Sequence, residues 1–283
     1  MTDDLNAIDF SKLPQGINTP TKSIIEHVNT NIRRRLPQLR VYQPQPREMC
    51  VVAGGPSLED TWDEFEALKD AGAATLAVNG AYKYLLDRDI APSLFAMLDA
   101  REWNKRFVDE AHPNTKHFIA SQCHPAVFDA LAERDVFIWH SPIPKPKGER
   151  TKSWTEGRKL YRDYYLGDKN YLLVPGGVTC TAKTVMLCYW LGFRKIHMFG
   201  FDSCWMDGKD HAYPQPENQD KNIRFRLGER WFECAPWMAH QADSFFKLIV
   251  NLPDNLELQV HGDGLIAYGL QRSADEWKRL QAA

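Results

Sequence analysis

No apolar run in this sequence approaches the ~18–20 residues that a membrane-spanning helix needs, although 43% of the residues are hydrophobic. Charge of neither sign dominates. With 35 Lys and Arg against 37 Asp and Glu, the net charge is −2, so no overall field draws the chain to nucleic acid or to an anionic membrane. There is no CxxC pair and no Cys/His spacing of the zinc type. The six cysteines, Cys50, Cys123, Cys180, Cys188, Cys204 and Cys234, sit mostly inside apolar stretches and read as reduced core thiols. The opening residues MTDDLNAIDF lack the apolar stretch of a secretory signal. These absences favour a cytoplasmic protein with no dedicated metal site.

Two ligand fingerprints are missing as well. Neither G-x-G-x-x-G nor GK[ST] occurs, which argues against ordinary dinucleotide binding and Walker-type ATP hydrolysis. What the sequence does hold is a rhythm of short β-rich runs and helical patterns from residue 49 onward. The runs 49–54, 74–79, 93–99, 117–122, 136–140, 171–174, 195–201 and 256–261 read as strands. Helices are expected near 58–71, 80–88, 101–111, 125–133, 178–192 and 235–251, with a tail helix near 273–281. Such alternation implies a doubly wound α/β domain with a mostly parallel, Rossmann-like sheet.

Before this domain (49–270), residues 1–48 form a loose arm and a packing helix with Ile24, Ile25, Val28, Ile32 and Leu36 on one face. Two excursions interrupt the rhythm. Residues 141–170 carry eight Lys/Arg, four acids and three prolines and read as a lid-like insert; 203–234 are polar and aromatic.

In an open parallel sheet the residues just after the strands face the ligand. Here they are Gly54-Gly55-Pro56-Ser57, Asn79-Gly80, Asp99, Gly176-Gly177-Val178-Thr179 and Gly200-Phe201-Asp202. Glycine turns opening helices suit phosphate oxygens, so this set points to a nucleotide or a phosphorylated ligand. Ser57 is expected to cap the first helix, with Asp60 completing a partial capping box. His117, His140 and His197 lie inside strand patterns and read as structural. His211, in GKDHAYP, and His240, ahead of Asp243, are the candidate general bases.

The stretches VVAGGPSL, AVNGAYKYLL, LDARE and PGGVTCTAKTVMLCYWLGFRKIHMFGFD resemble the MptE-like domain family. That family includes archaeal 6-hydroxymethylpterin diphosphokinases and motility-associated flagellin glycosyltransferases. The pattern is also similar to bacterial sialyltransferases that use CMP-sialic acid. The resemblance implies a transferase in which Gly54–Ser57, Asn79 and Asp99 contact a nucleotide donor and Gly176-Gly177 approach its phosphate or sugar. It further implies that Tyr213 stabilises the departing phosphate and His240 serves as base. Trp205 stands where the sialyltransferase pattern has another tyrosine, and Gly55 where it has an asparagine.

A sugar transferase would need no tightly bound cofactor, only a nucleotide-sugar donor and a glycan or small-molecule hydroxyl acceptor. A diphosphokinase would use ATP, with Asp99 and Asp202 helping to hold Mg²⁺. A non-catalytic nucleotide-binding or assembly protein is the third reading, and a homo-oligomer is compatible with all three.

Overall fold

The computed structural model describes residues 18–143, 159–165, 171–215 and 221–272. Most of the expected arm, the middle of the lid-like insert (144–158, 166–170) and the tail helix near 273–281 lie outside the described residues.

Seven strands form one parallel sheet among these residues: β1 (Met49–Val52), β2 (Ala74–Val78), β3 (Leu94–Met97), β4 (Lys116–Ala120), β5 (Val136–Trp139), β6 (Lys195–Phe199) and a last strand, Glu257–Val260. Met49, Cys50, Val51 and Val52 are all fully buried, which requires helices on both faces of the sheet. The helices between β1 and β6 are α2 (Ser57–Asp60), α3 (Trp62–Asp70), α4 (Ala81–Leu86), α5 (Pro125–Ala130), α6 (described over 159–164) and α7 (Cys180–Trp190), of which α3, α4 and α7 contact the sheet. The doubly wound α/β class follows.

The strand order places β1 between β2 and β6. The chain therefore winds outward from β1 to β5, returns across the sheet, and continues from β6 on the other side. The carboxyl ends of β1 and β6 flank the resulting crevice, where ligands of such sheets bind.

The N-terminal helix α1 (Thr21–Ile32) buries Ile24, Val28 and Ile32 against Ile143, Tyr161 and Tyr165, joining the start of the chain to α6. Asn31 anchors it, donating Nδ2 to the carbonyls of Ser121 and Cys123 at 3.0 and 2.8 Å.

Four expectations change in detail. The helix expected over 58–71 breaks at Thr61, whose backbone (φ −104°, ψ 13°) is not helical. The segment expected as a helix over 101–111 is a 3₁₀ turn, Glu102–Val108. Residues 171–174 make a single parallel bridge, Leu173 with His140, rather than a strand. Within the excursion at 203–234 lies an antiparallel hairpin, β7 (Ile223–Leu227) with β8 (Arg230–Cys234). The chain then runs through α8 (Pro236–Ile249), the edge strand β9 already placed at Glu257–Val260, and α9 (Leu265–Gln271).

Candidate functional site

At the crevice the turn after β1 meets the turn after β6. Gly55 donates its backbone N–H to the carbonyl of Gly200 at 2.7 Å, and Ser57 donates its own to Oδ2 of Asp202 at 2.9 Å. The start of α2 is thus capped by a carboxylate from a residue 145 positions away, not by the local Ser57–Asp60 box. A side chain at Gly55 would overlap that carboxylate and lie 2.6 Å from the Gly200 carbonyl, which is why the position needs glycine. Asp202 is 3% exposed, and burial raises its pKa from 3.8 to about 6 against the depressing hydrogen bond from Ser57.

Above this turn lies the loop that carries His211 and Tyr213, tied down by the Ala212 N–H to the Gly54 carbonyl at 2.9 Å. The Tyr213 ring fills the space that side chains at Gly54 and Gly80 would occupy, with the His211 ring beside it. The close approach that glycine permits is therefore used by the protein's own tyrosine. Burial raises the Tyr213 pKa, so its hydroxyl stays protonated and able to donate. His211 Nδ1 is 3.2 Å from the Asp210 carboxylate, which orients the ring. Burial lowers the His211 pKa and Asp210 partly offsets this, leaving a neutral imidazole near pH 7.

Asn79 and Asp99, at the ends of β2 and β3, line one small cleft of about 40 Å³ with Arg101, Trp103, Asn104, Arg106, Phe107 and Gln215. Gln215 hydrogen-bonds Tyr213, so the cleft adjoins the tyrosine. Asn79 holds a left-handed backbone (φ 49°), which asparagine tolerates better than most residues. Asp99 is clasped by Arg101, with Nη2 at 2.6 Å and Nε at 3.0 Å.

The second glycine turn is shaped by packing too. Gly176 (φ 81°) lies against Leu248 of α8 and Gly177 (φ 59°) against Ala182. Thr179 caps α7 by accepting from the Ala182 N–H at 3.4 Å. Beneath the turn lies Lys183, a residue the sequence reading passed over. It is 7% exposed and donates Nζ to the carbonyls of Gly176 and Val174 at 2.9 and 3.3 Å. Burial lowers its pKa from 10.5 to about 8. Its signal was the one charge in the helix CTAKTVMLCYW.

His240 sits on the buried face of α8. His117, His140 and His197 are buried as expected, bonded to Tyr82, to Ser121 and Tyr165, and to His261 and Glu48 respectively. Asp99 and Asp202 do not fit a shared Mg²⁺: one is clasped by a guanidinium, and the other is buried on a backbone amide with a raised pKa. Among the described residues no group of three or more His, Cys, Asp or Glu is placed to hold a metal, and no helix is long and apolar enough to cross a membrane. A larger hollow, about 470 Å³, lies at the β5 edge beside Ile138 and Tyr165.

The family model described as 6-hydroxymethylpterin diphosphokinase MptE-like matches residues 22–208. The chain belongs to the MptE-like family. No curated protein matches the chain. Among solved structures, the MAf glycosyltransferase of Magnetospirillum magneticum AMB-1 superposes with a TM-score of 0.59 at 16% identity, covering 95% of this chain. This MptE-like chain spans 42% of the length of that enzyme. A mammalian sialyltransferase in complex with Gal-beta-1-3GalNAc-ortho-nitrophenol aligns over 87% of this chain and 81% of its own, at 10% identity and a TM-score of 0.40.

Proposed function

We propose that the protein is a transferase that takes a glycosyl group from a nucleotide-activated sugar and delivers it to a hydroxyl acceptor. The observation that carries this reading is the convergence of a protonated Tyr213 hydroxyl, an Asp210-oriented His211 and the Asn79–Asp99 cleft at the mouth of the switch-point crevice. Family membership and the fold shared with a MAf glycosyltransferase support it.

In the step envisaged, the base removes the acceptor hydroxyl proton as that oxygen attacks the anomeric carbon. The bond from that carbon to the phosphate oxygen breaks, and the Tyr213 O–H donates to the oxygen that leaves. We take His211 as the base, because its ring lies 5.8 Å from that of Tyr213 on the same loop. General-base help is worth ~10²–10⁴-fold, and a preorganised donor such as Tyr213 a further ~10²–10³-fold. The test is a saturating panel of CMP- and UDP-sugars, read by thermal shift and by slow donor hydrolysis. A panel with no shift and no hydrolysis removes the reading.

The family description favours a second reading, transfer of diphosphate from ATP to a pterin alcohol. Mg²⁺-dependent AMP release from ATP in the presence of that alcohol supports it, and the absence of ATP binding ends it.

A further inference from the structure

The cleft beside Tyr213 contains two polar groups that the fold leaves unused. Asn104, on the 3₁₀ turn after β3, is 2% exposed, and its Nδ2 has no hydrogen-bond partner among the described residues. Oδ1 of Asn79 is likewise buried without a partner among them. A buried polar group is costly to leave unpaired, so a ligand that pairs it is favoured. Both residues line the same cleft, one with an unpaired donor and the other with an unpaired acceptor. At its mouth stands Trp103, a large aromatic side chain left 53% exposed. The Arg101 guanidinium lies 5.2 Å from the Trp103 ring and is held there by its clasp on Asp99, which fixes that side of the mouth.

We infer that this cleft recognises the edge of a planar nitrogen heterocycle, with Asn104 donating to a ring acceptor, Asn79 accepting from a neighbouring ring N–H or amino group, and Trp103 stacking on the ring face. Adjacent acceptor and donor atoms on one edge are a property of nucleobases and of pterins alike. The open volume of about 40 Å³ takes that edge and leaves the rest of the ring against Trp103. Asn104 and Trp103 thereby become specificity residues for the ring of the donor. The inference rests on the nucleotide reading above only for what the ring is attached to, since ring binding requires no transfer.

The experiment is calorimetric titration of the full chain with CMP, UMP, AMP and GMP, with a pterin alcohol, and with ribose 5-phosphate as a phosphate without a ring. Wild type is expected to bind at least one ring-bearing probe tenfold or more tightly than ribose 5-phosphate. The preferred probe distinguishes a base from a pterin. Asn104→Leu, which removes the donor at similar volume, should weaken that probe by about tenfold or more without lowering the melting temperature of the free protein. Trp103→Ala, at an exposed position, should weaken it by about tenfold. Equal binding of ring and ringless probes overturns the inference, as does unchanged affinity in Asn104→Leu. A lower melting temperature of ligand-free Asn104→Leu also overturns it, because the amide then serves the fold, with an ordered water only in the cleft. If ring binding depends on Asn104 but no sugar is transferred, the inference stands and the transferase reading fails. If transfer proceeds and Asn104→Leu binds the ring normally, the reverse holds.

Discussion

Replacing Asp202 with asparagine tests the physical description of the crevice. In the wild type this carboxyl is 3% exposed, accepts the Ser57 N–H at 2.9 Å and fits into space left by the glycines at 55, 262 and 264. Burial outweighs that hydrogen bond and raises its pKa from 3.8 to about 6. At ~1.4 kcal/mol for each tenfold change in proton affinity, the displacement amounts to about 3 kcal/mol. The folded state holds the proton more tightly than the unfolded chain, so between pH 3.8 and about 6 it binds more protons. Stability from this group is therefore greatest below pH 3.8, falls as pH rises through about 6, and levels off above that. Asparagine still accepts from Ser57 and does not titrate. Urea unfolding of both proteins between pH 3.5 and 7.5, ranges chosen to bracket ~4 to ~6, should show Asp202→Asn gaining about 3 kcal/mol on the wild type as pH rises. Any constant offset between the curves drops out of this difference. Parallel curves, showing that the Ser57 hydrogen bond balances burial, or a wild type that gains on the variant, showing that it outweighs burial, would refute the reasoning.

Other expectations follow from the same geometry. Gly55→Ala forces a methyl group into the Asp202 carboxylate and the Gly200 carbonyl; a loss of about 1–3 kcal/mol or more in urea unfolding is expected, and a neutral result contradicts the packing described. Tyr213→Phe should reduce donor turnover by ~10²–10³-fold while leaving donor affinity within a few-fold of wild type, as measured by initial rates and calorimetry. Asp210→Asn removes the group that partly restores the His211 pKa, so the acid limb of kcat/KM should move to lower pH; an unmoved limb excludes His211 as the base. Lys183 has a folded pKa of about 8, below the 10.5 of an unfolded lysine, so the native state sheds its proton first. Wild-type stability should therefore rise between about pH 8 and 10.5, and Lys183→Met should lack that rise.

The sheet was legible because its strands are short apolar runs spaced by helical patterns, and a parallel sheet buried on both faces leaves that signature. The segment 101–111 read as a helix, but its 3₁₀ winding was not legible, since the seven residues EWNKRFV are too few for periodicity to separate the two helix types. The β7–β8 hairpin does alternate, burying Phe225 and Leu227 on one strand and Phe232 and Cys234 on the other, but its exposed Arg224, Arg226 and Glu233 made the segment read as a polar excursion.

At the site, the glycine positions and the strand-end polar residues were visible in the sequence. Their partners were not. Asp202 caps Ser57 across 145 residues, and the Tyr213 ring sits over two glycines from separate strand ends. Such pairings are fixed by strand order, which local pattern does not encode. Asn104 was invisible for a related reason, because only the folded cleft shows that its amide goes unused.

The most direct test of the transferase reading is the structure of the protein soaked with CMP, UDP and ATP in equal amounts. Expected is one nucleotide with its base against Asn79 and its phosphate within hydrogen-bond distance of the Tyr213 hydroxyl. A nucleotide bound in the hollow beside β5, or none at the crevice at saturating concentration, would contradict it.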